Sequence, residues 1–71
     1  MGVFLVVVVK VVELIGTSPN SWEDAVAGAL KRASKTIRGI TGVDVVSFNG
    51  VVRGGKIVEY RANVKIAFEV N

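Results

Sequence analysis

Acidic side chains recur on one face of the predicted strands, and their chemistry is that of a cation site. Alternation along the chain places Asp44, Glu59 and Glu69 on this face, and Glu13 can join them. Carboxylate oxygens are the ligands that Ca²⁺ and Mg²⁺ prefer. The alternative for each acidic residue is a solvated charge or a surface ion pair. We rank Asp44 and Glu59 first as candidate metal ligands.

Composition excludes several other kinds of chemistry. The sequence contains no Cys and no His, so the usual zinc sites and nucleophiles activated by His are excluded. Arg53-Gly54-Gly55-Lys56 lacks the strand-to-helix context of a phosphate loop and is interpreted as a hairpin turn. We therefore assign no catalytic residue and expect a non-enzymatic protein.

The size of the chain predicts association with other copies. It has 71 residues, of which 51% are hydrophobic, and we expect a single domain over residues 1–71. A domain this small buries too little surface to be comfortably stable alone, and no disulfide can compensate. We therefore expect a homo-oligomer. The absence of Cys suits a reducing compartment, and we expect the cytoplasm.

The first predicted element is a strand from Val3 to Ile15. Its apolar run has no positive residue ahead of it and no cleavage site after it, and Lys10 and Glu13 interrupt it too early for a spanning helix. Valine favours strand over helix, so we expect no membrane segment. Both faces of this strand are mostly apolar, which predicts cover by the helix on one side and by another subunit on the other.

A helix from about Ser21 to Arg38 follows. Ser21 is a candidate N-cap, Gly39 is a candidate stop, and Trp22 lies on the apolar stripe that anchors the helix to the sheet. An oxygen-rich stretch over residues 17–24 precedes and begins this helix, and it does not match an EF-hand loop.

Four basic residues lie late in this predicted helix, and the net charge of the chain is +3: Lys31, Arg32, Lys35 and Arg38. Cations at this end of a helix complement its macrodipole. We prefer this explanation to nucleic-acid binding, which we do not expect.

Two further strands complete the fold. The second runs from about Val43 to Val52, and the third, from Ile57 to Val70, alternates between an apolar face that includes Tyr60 and a polar face. By the same alternation Phe48 shares a face with Gly42 and Asp44. The fold class is α+β, with β-α-β-β order and a three-stranded antiparallel sheet wrapped around one helix.

The order of these elements and the local sequence resemble the dodecin family. The matching segments are Val12-Glu13-Leu14-Ile15-Gly16-Thr17-Ser18, Ser21-Trp22-Glu23-Asp24-Ala25, Ala33-Ser34-Lys35-Thr36-Ile37-Arg38, Glu59-Tyr60-Arg61 and Phe68-Glu69. The resemblance implies a hollow shell of twelve identical subunits, with helices outside and sheets inside. It also implies flavins stacked in pairs at two-fold interfaces, and ions held in channels.

Two positions depart from the flavin-binding pattern of that family. Gly42 stands where those proteins have the Trp that stacks on the flavin, and Arg61 stands where they have a Gln. With Asp44 on the same face, we assign Gly42, Asp44 and Arg61 to an altered cofactor site. The missing ring predicts weakened flavin binding.

The sequence thus predicts a dodecin-type shell of twelve subunits that holds a small ion or small molecule. We expect Ca²⁺ or Mg²⁺ on Asp44 and Glu59. Two alternatives stay open: binding and storage of riboflavin or FMN in a rearranged pose, and a purely structural or interaction oligomer.

Overall fold

A computed structural model describes residues 6–70, so residues 3–5 of the predicted first strand lie outside the described part. The elements are β1 (Val8–Ser18), α1 (Trp22–Ala33), β2 (Ile40–Arg53) and β3 (Lys56–Val70). The predicted β-α-β-β order is confirmed. In the described part, no helix is both long and apolar enough to cross a membrane.

The longest strand lies at the centre of the sheet. The strand order is β1-β3-β2, and both pairings are antiparallel. Gly54 and Gly55 form the turn between β2 and β3, with φ angles of 59° and 74° that favour glycine. Central placement pairs β3 on both sides and leaves β1 and β2 as edge strands.

The helix begins where the sequence predicts and ends earlier. Ser21 is the N-cap, and its hydroxyl accepts a hydrogen bond from the Asp24 amide at 2.9 Å. The helix ends at Ala33 rather than Arg38. The Ser34 hydroxyl donates to the Leu30 carbonyl at 2.8 Å, and the next amides bond to carbonyls three residues back, which tightens and closes the last turn.

Small side chains let the helix pack closely on the sheet. The buried core consists of three alanines of α1 facing three residues of β3: Ala25, Ala29, Ala33, Ala62, Val64 and Ile66. Gly16 of β1 lies against the helix, and a Cβ added there would be 2.2 Å from the Ala25 carbonyl oxygen. Only glycine permits this approach of strand to helix.

Much apolar surface is left without cover by this one helix. Ile15 is 66% exposed, Phe48 55% and Val11 50%. The radius of gyration is 15.7 Å, whereas a compact domain of this length has about 11 Å. Exposed apolar surface of this extent is typical of a site where another molecule binds.

An irregularity in β2 changes which residues face the helix. The pairing with β3 shifts between Val45 and Ser47, so Val46 is an extra residue. Beyond it Phe48 lies opposite Ala62, on the helix-covered face. The prediction that Phe48 shares a face with Gly42 and Asp44 is therefore wrong, because alternation does not continue through a bulge.

Candidate functional site

We call the sheet face away from the helix the open face. Residues paired across strands share a face, so the register defines it. Its members are Val9, Val11, Glu13, Ile15 and Thr17 of β1, Gly42, Asp44, Ser47, Asn49 and Val51 of β2, and Glu59, Arg61, Asn63, Lys65, Ala67 and Glu69 of β3. All residues that the sequence assigns to ligand binding lie on this face.

The two candidate metal ligands do not meet within one chain. Asp44 lies opposite Lys65, and Glu59 lies opposite Val51. The six-residue interval from Glu59 to Lys65 corresponds to about 20 Å along the strand. Among residues 6–70, no three acidic side chains are close enough to hold a metal ion. A shared site would therefore need carboxylates from different subunits.

Glu13 and Asp44 flank the same lysine. Glu13 of β1 and Asp44 of β2 both lie opposite Lys65 of β3, with Cβ atoms of such neighbours roughly 5 Å apart. This row of three charged side chains crosses the sheet and carries a formal charge of −1. An ammonium at its centre lowers the attraction for a second cation, so Lys65 competes with any metal ion bound beside it.

Glu59 has a partner of its own. Its carboxylate accepts a hydrogen bond from Arg61 Nε at 2.7 Å, in an ion pair whose side chains are 36% and 46% exposed. An exposed pair of this kind contributes about 0–1 kcal/mol. The same contact turns the Arg61 guanidinium along its own strand.

The three residues assigned to the altered cofactor site share the open face but are separated along it. Gly42 lies opposite Ala67 and Arg61 lies opposite Asn49, which places them about 20 Å apart along the sheet. A Cβ added at Gly42 would meet only the Ala67 Cβ, at 4.0 Å. The position can hold a side chain, and one ligand could reach both residues only across a subunit interface.

Polar residues that the sequence did not single out lie between the acidic row and Arg61. Asn63 Nδ2 donates to Ser47 Oγ at 2.9 Å, and Asn49 lies opposite Arg61. Ser47 and Asn49 reach this face because of the bulge at Val46. Sequence alternation could not find them, whereas the alternation of β3 does place Asn63 here.

The aromatic residues lie on the other side of the sheet. Trp22 Nε1 donates to the Asn49 carbonyl at 2.8 Å, and its ring packs edge-on against Tyr60 and Phe48, with centroids 4.8 and 6.2 Å away. The prediction that Trp22 anchors the helix to the sheet is confirmed. It offers no ring to a ligand on the open face.

The oxygen-rich stretch before the helix has a structural role. Ser18 is 2% exposed, and its hydroxyl donates to the Asp24 carboxylate at 2.7 Å while it accepts from the Asn20 amide at 2.9 Å. With the Ser21 cap, these contacts use the oxygens to start the helix.

The sequence of this chain is similar to those of dodecins. The family model described as Dodecin matches residues 8–71. The calcium dodecin of Mycobacterium tuberculosis and the dodecin of Thermus thermophilus are each 35% identical over 63 residues, or 89% of this chain and 89% and 91% of theirs.

The fold of this chain matches the folds of solved dodecin structures. The dodecin of Streptomyces coelicolor is 29% identical, with a TM-score of 0.88 over 92% of this chain and 93% of that one. The calcium dodecin of Mycobacterium tuberculosis is 34% identical, with a TM-score of 0.79 over 90% and 91%. That structure is described as calcium chelating, with a novel calcium-binding site.

Proposed function

Because this chain belongs to the dodecin family, we propose that it is a non-enzymatic homo-oligomeric shell that holds divalent cations on its open face. The observation that carries this proposal is the placement of the strand carboxylates. Glu13, Asp44, Glu59 and Glu69 all lie on the open face. A relative 35% identical is a calcium dodecin, which supports Ca²⁺ as the ion.

The cation site is assembled between subunits. Ca²⁺ takes six to eight oxygen ligands, and one chain brings at most two carboxylates of the open face into one row. Asp44 is exposed and lies on edge strand β2, where copies of the chain can meet. Symmetry-related Asp44 side chains then supply several carboxylates to one ion. Glu59 contributes to a second ion, because it is about 20 Å away along the strand.

Ca²⁺ fits this arrangement better than Mg²⁺. Calcium accepts flexible coordination, whereas Mg²⁺ demands a near-ideal octahedron at about 2.0–2.1 Å and loses its water reluctantly. Carboxylates that come from separate chains on a broad sheet suit the flexible coordination of Ca²⁺ better than the strict octahedron of Mg²⁺.

In the proposed assembly, the open face of the sheet faces the interior of a shell of twelve subunits, and we place this shell in the cytoplasm.

The experiment is native mass spectrometry with and without chelator, on the parent chain and three variants. Asp44→Asn and Glu59→Gln each remove one charge from the open face, and Glu23→Gln removes one from the helix as the matched control. We expect a twelve-subunit mass in all four. Chelator should release Ca²⁺ from the parent, Asp44→Asn should lose at least ten-fold in Ca²⁺ affinity, and Glu23→Gln should bind like the parent. If the oligomer never carries Ca²⁺, the cation-binding proposal is wrong and the purely structural oligomer is the correct alternative.

Flavin is the second candidate ligand, and the room at Gly42 favours it. A Cβ added there meets only the Ala67 Cβ, at 4.0 Å, so the backbone does not block this part of the open face. A flavin would bind without the stacking Trp of the family pattern, in a rearranged pose near Arg61 of another subunit. Added riboflavin or FMN in the same spectra tests this, and an unchanged mass would exclude it.

A further inference from the structure

The basic residues around the end of α1 are more numerous than the helix macrodipole explains. Lys31, Arg32, Lys35 and Arg38 are all exposed, and we call them the basic cluster. The helix ends at Ala33, so half of the cluster lies beyond it. The macrodipole presents about half a negative charge at the C-terminus, and its effect fades within the last turn. Lys31 and Arg32 occupy that turn, so Lys35 and Arg38 need another explanation.

In the described part of the chain, no carboxylate forms an ion pair with the basic cluster. The strand carboxylates lie on the open face, and Glu69 comes nearest, because its amide donates to the Gly39 carbonyl next to Arg38. The remaining two, Glu23 and Asp24, lie in the first turn of the helix, about 10 Å along the axis from Lys31. Lys10, opposite Phe68, adds a further cation to the helix side. The sheet thus separates an acidic face from a basic one.

We propose that the basic cluster binds the phosphate backbone of duplex DNA without reading its sequence. From residue 31 to residue 38, the exposed side chains other than the cations are Ser34 and Thr36. Lys, Arg, Ser and Thr are the side chains that contact phosphates in protein–DNA complexes. The cluster is on the helix side, so this binding is separate from cation binding on the open face.

Other polyanions fit the surroundings of the cluster less well. Single-stranded nucleic acid is bound by aromatic stacking next to cations. Trp22, at the opposite end of the helix, packs with Phe48 and Tyr60, and Phe68 is half-buried in the sheet opposite Lys10 and Ile40. Insertion into a lipid surface needs large exposed apolar side chains beside the cations, and the exposed side chains from residue 31 to residue 38 are all polar or charged. Backbone phosphates therefore match the cluster best.

The test measures binding of a labelled 20-bp duplex by fluorescence anisotropy between 50 and 200 mM salt. Four phosphate contacts predict that log affinity falls with a slope of about −3.6 against log salt, or about 150-fold over this range. Lys35→Gln/Arg38→Gln should halve the slope, to about −1.8 or 12-fold. If several basic clusters of one oligomer contact the duplex, the slopes of the parent and of the double variant grow by the same factor. The slope of the variant is then still half that of the parent.

A charge-matched control separates the cluster from overall charge. Arg53→Gln/Lys56→Gln removes the same number of cations from the hairpin turn and should leave the slope unchanged. Equal losses in both variants would overturn the proposal, because net charge alone would then explain binding. So would undetectable binding at 50 mM salt, or tighter binding to vesicles of anionic lipid than to DNA. Circular dichroism and native mass spectra serve as controls for folding and assembly, and both variants should match the parent.

Discussion

The indole N–H of Trp22 donates a hydrogen bond to the backbone carbonyl of Asn49, at 2.8 Å. This bond joins the first turn of α1 to edge strand β2, which the helix otherwise touches little. The side chain of Asn49 points to the open face, because it lies opposite Arg61. One residue of β2 thus anchors the helix with its backbone and lines the candidate site with its side chain.

Trp22→Phe should therefore destabilise the protein by about 1–2 kcal/mol, because it removes this hydrogen bond and some packed surface. Urea unfolding at fixed protomer concentration measures the change. Tyr60→Phe is the matched control, since it keeps the ring that packs against Trp22 at 4.8 Å, and should change the free energy of unfolding by less than about 0.5 kcal/mol. Equal stabilities for Trp22→Phe and the parent would contradict the anchoring role.

Two Gly→Ala substitutions should have opposite effects. Gly16→Ala places a methyl 2.2 Å from the Ala25 carbonyl oxygen and should cost about 1–3 kcal/mol, since the strand and helix must separate. Gly28→Ala meets no atom within 4 Å and should stabilise the helix by about 0.5–1 kcal/mol. Thermal denaturation measures both, with a shift of about 4–8 °C for each kcal/mol. A Gly16→Ala melting temperature at or above that of the parent would show that the close approach is not required.

The acidic row predicts that a lysine limits Ca²⁺ affinity. Lys65→Gln removes the ammonium between Glu13 and Asp44 and should tighten Ca²⁺ binding by about 5–10-fold, roughly 1 kcal/mol for a nearby charge in a polar setting. Isothermal titration at low salt measures it. Lys56→Gln, at the hairpin, removes the same charge elsewhere and should have no such effect. If both variants bind Ca²⁺ like the parent, the ion does not lie beside Asp44.

Restoring the family's flavin residues should restore flavin binding. Gly42→Trp introduces its Cβ without a clash, since a Cβ there meets only the Ala67 Cβ, at 4.0 Å. Combined with Arg61→Gln, it should raise riboflavin affinity by about 10–100-fold, as expected for a stacked ring worth about 1–3 kcal/mol. Quenching of flavin fluorescence measures the gain, with Gly42→Ala as the control. No gain in the double variant would mean that the two positions do not meet across subunits.

Assembly should depend on the apolar residues of the open face. Ile15 is 66% exposed in one chain, and Ile15→Asp would bury a charge wherever another subunit covers it. We expect a smaller oligomer by light scattering at micromolar concentration. Ala27→Asp, on the exposed side of the helix, should keep the parent mass. A full-size Ile15→Asp oligomer would place this residue at a solvent-filled part of the assembly.

The sequence predicted the order of the elements and the helix start because these depend on local signals. The Ser21 cap and the alternation of β3 from Glu59 onward are examples, and both are confirmed. The alternation fails before Glu59, where a register shift leaves Val58 unpaired. The end of the helix was predicted five residues late, because Ser34 closes the last turn through its hydroxyl bond to Leu30. That bond competes with helix continuation and leaves no trace in apolar periodicity.

The sequence predicted which face of the sheet holds the candidate site, but not how far apart its residues lie along the strands. Alternation correctly placed Gly42, Asp44 and Arg61 on one side of the sheet. It could not give the register between β2 and β3, which sets their separation along the strand. It also could not reveal the bulge at Val46, after which every residue of β2 changes side.

That bulge lets β2 differ in length by one residue without changing what its two faces present. Deleting Val46 alone would remove the unpaired residue and leave Ser47, Phe48 and Asn49 opposite Asn63, Ala62 and Arg61. Phe48 would stay beside Trp22, while Asn49 and Ser47 would stay on the open face. A single codon lost at this point would thus restore an unbroken ladder and keep both surfaces, so members of this fold can differ in length here while holding the same ligand.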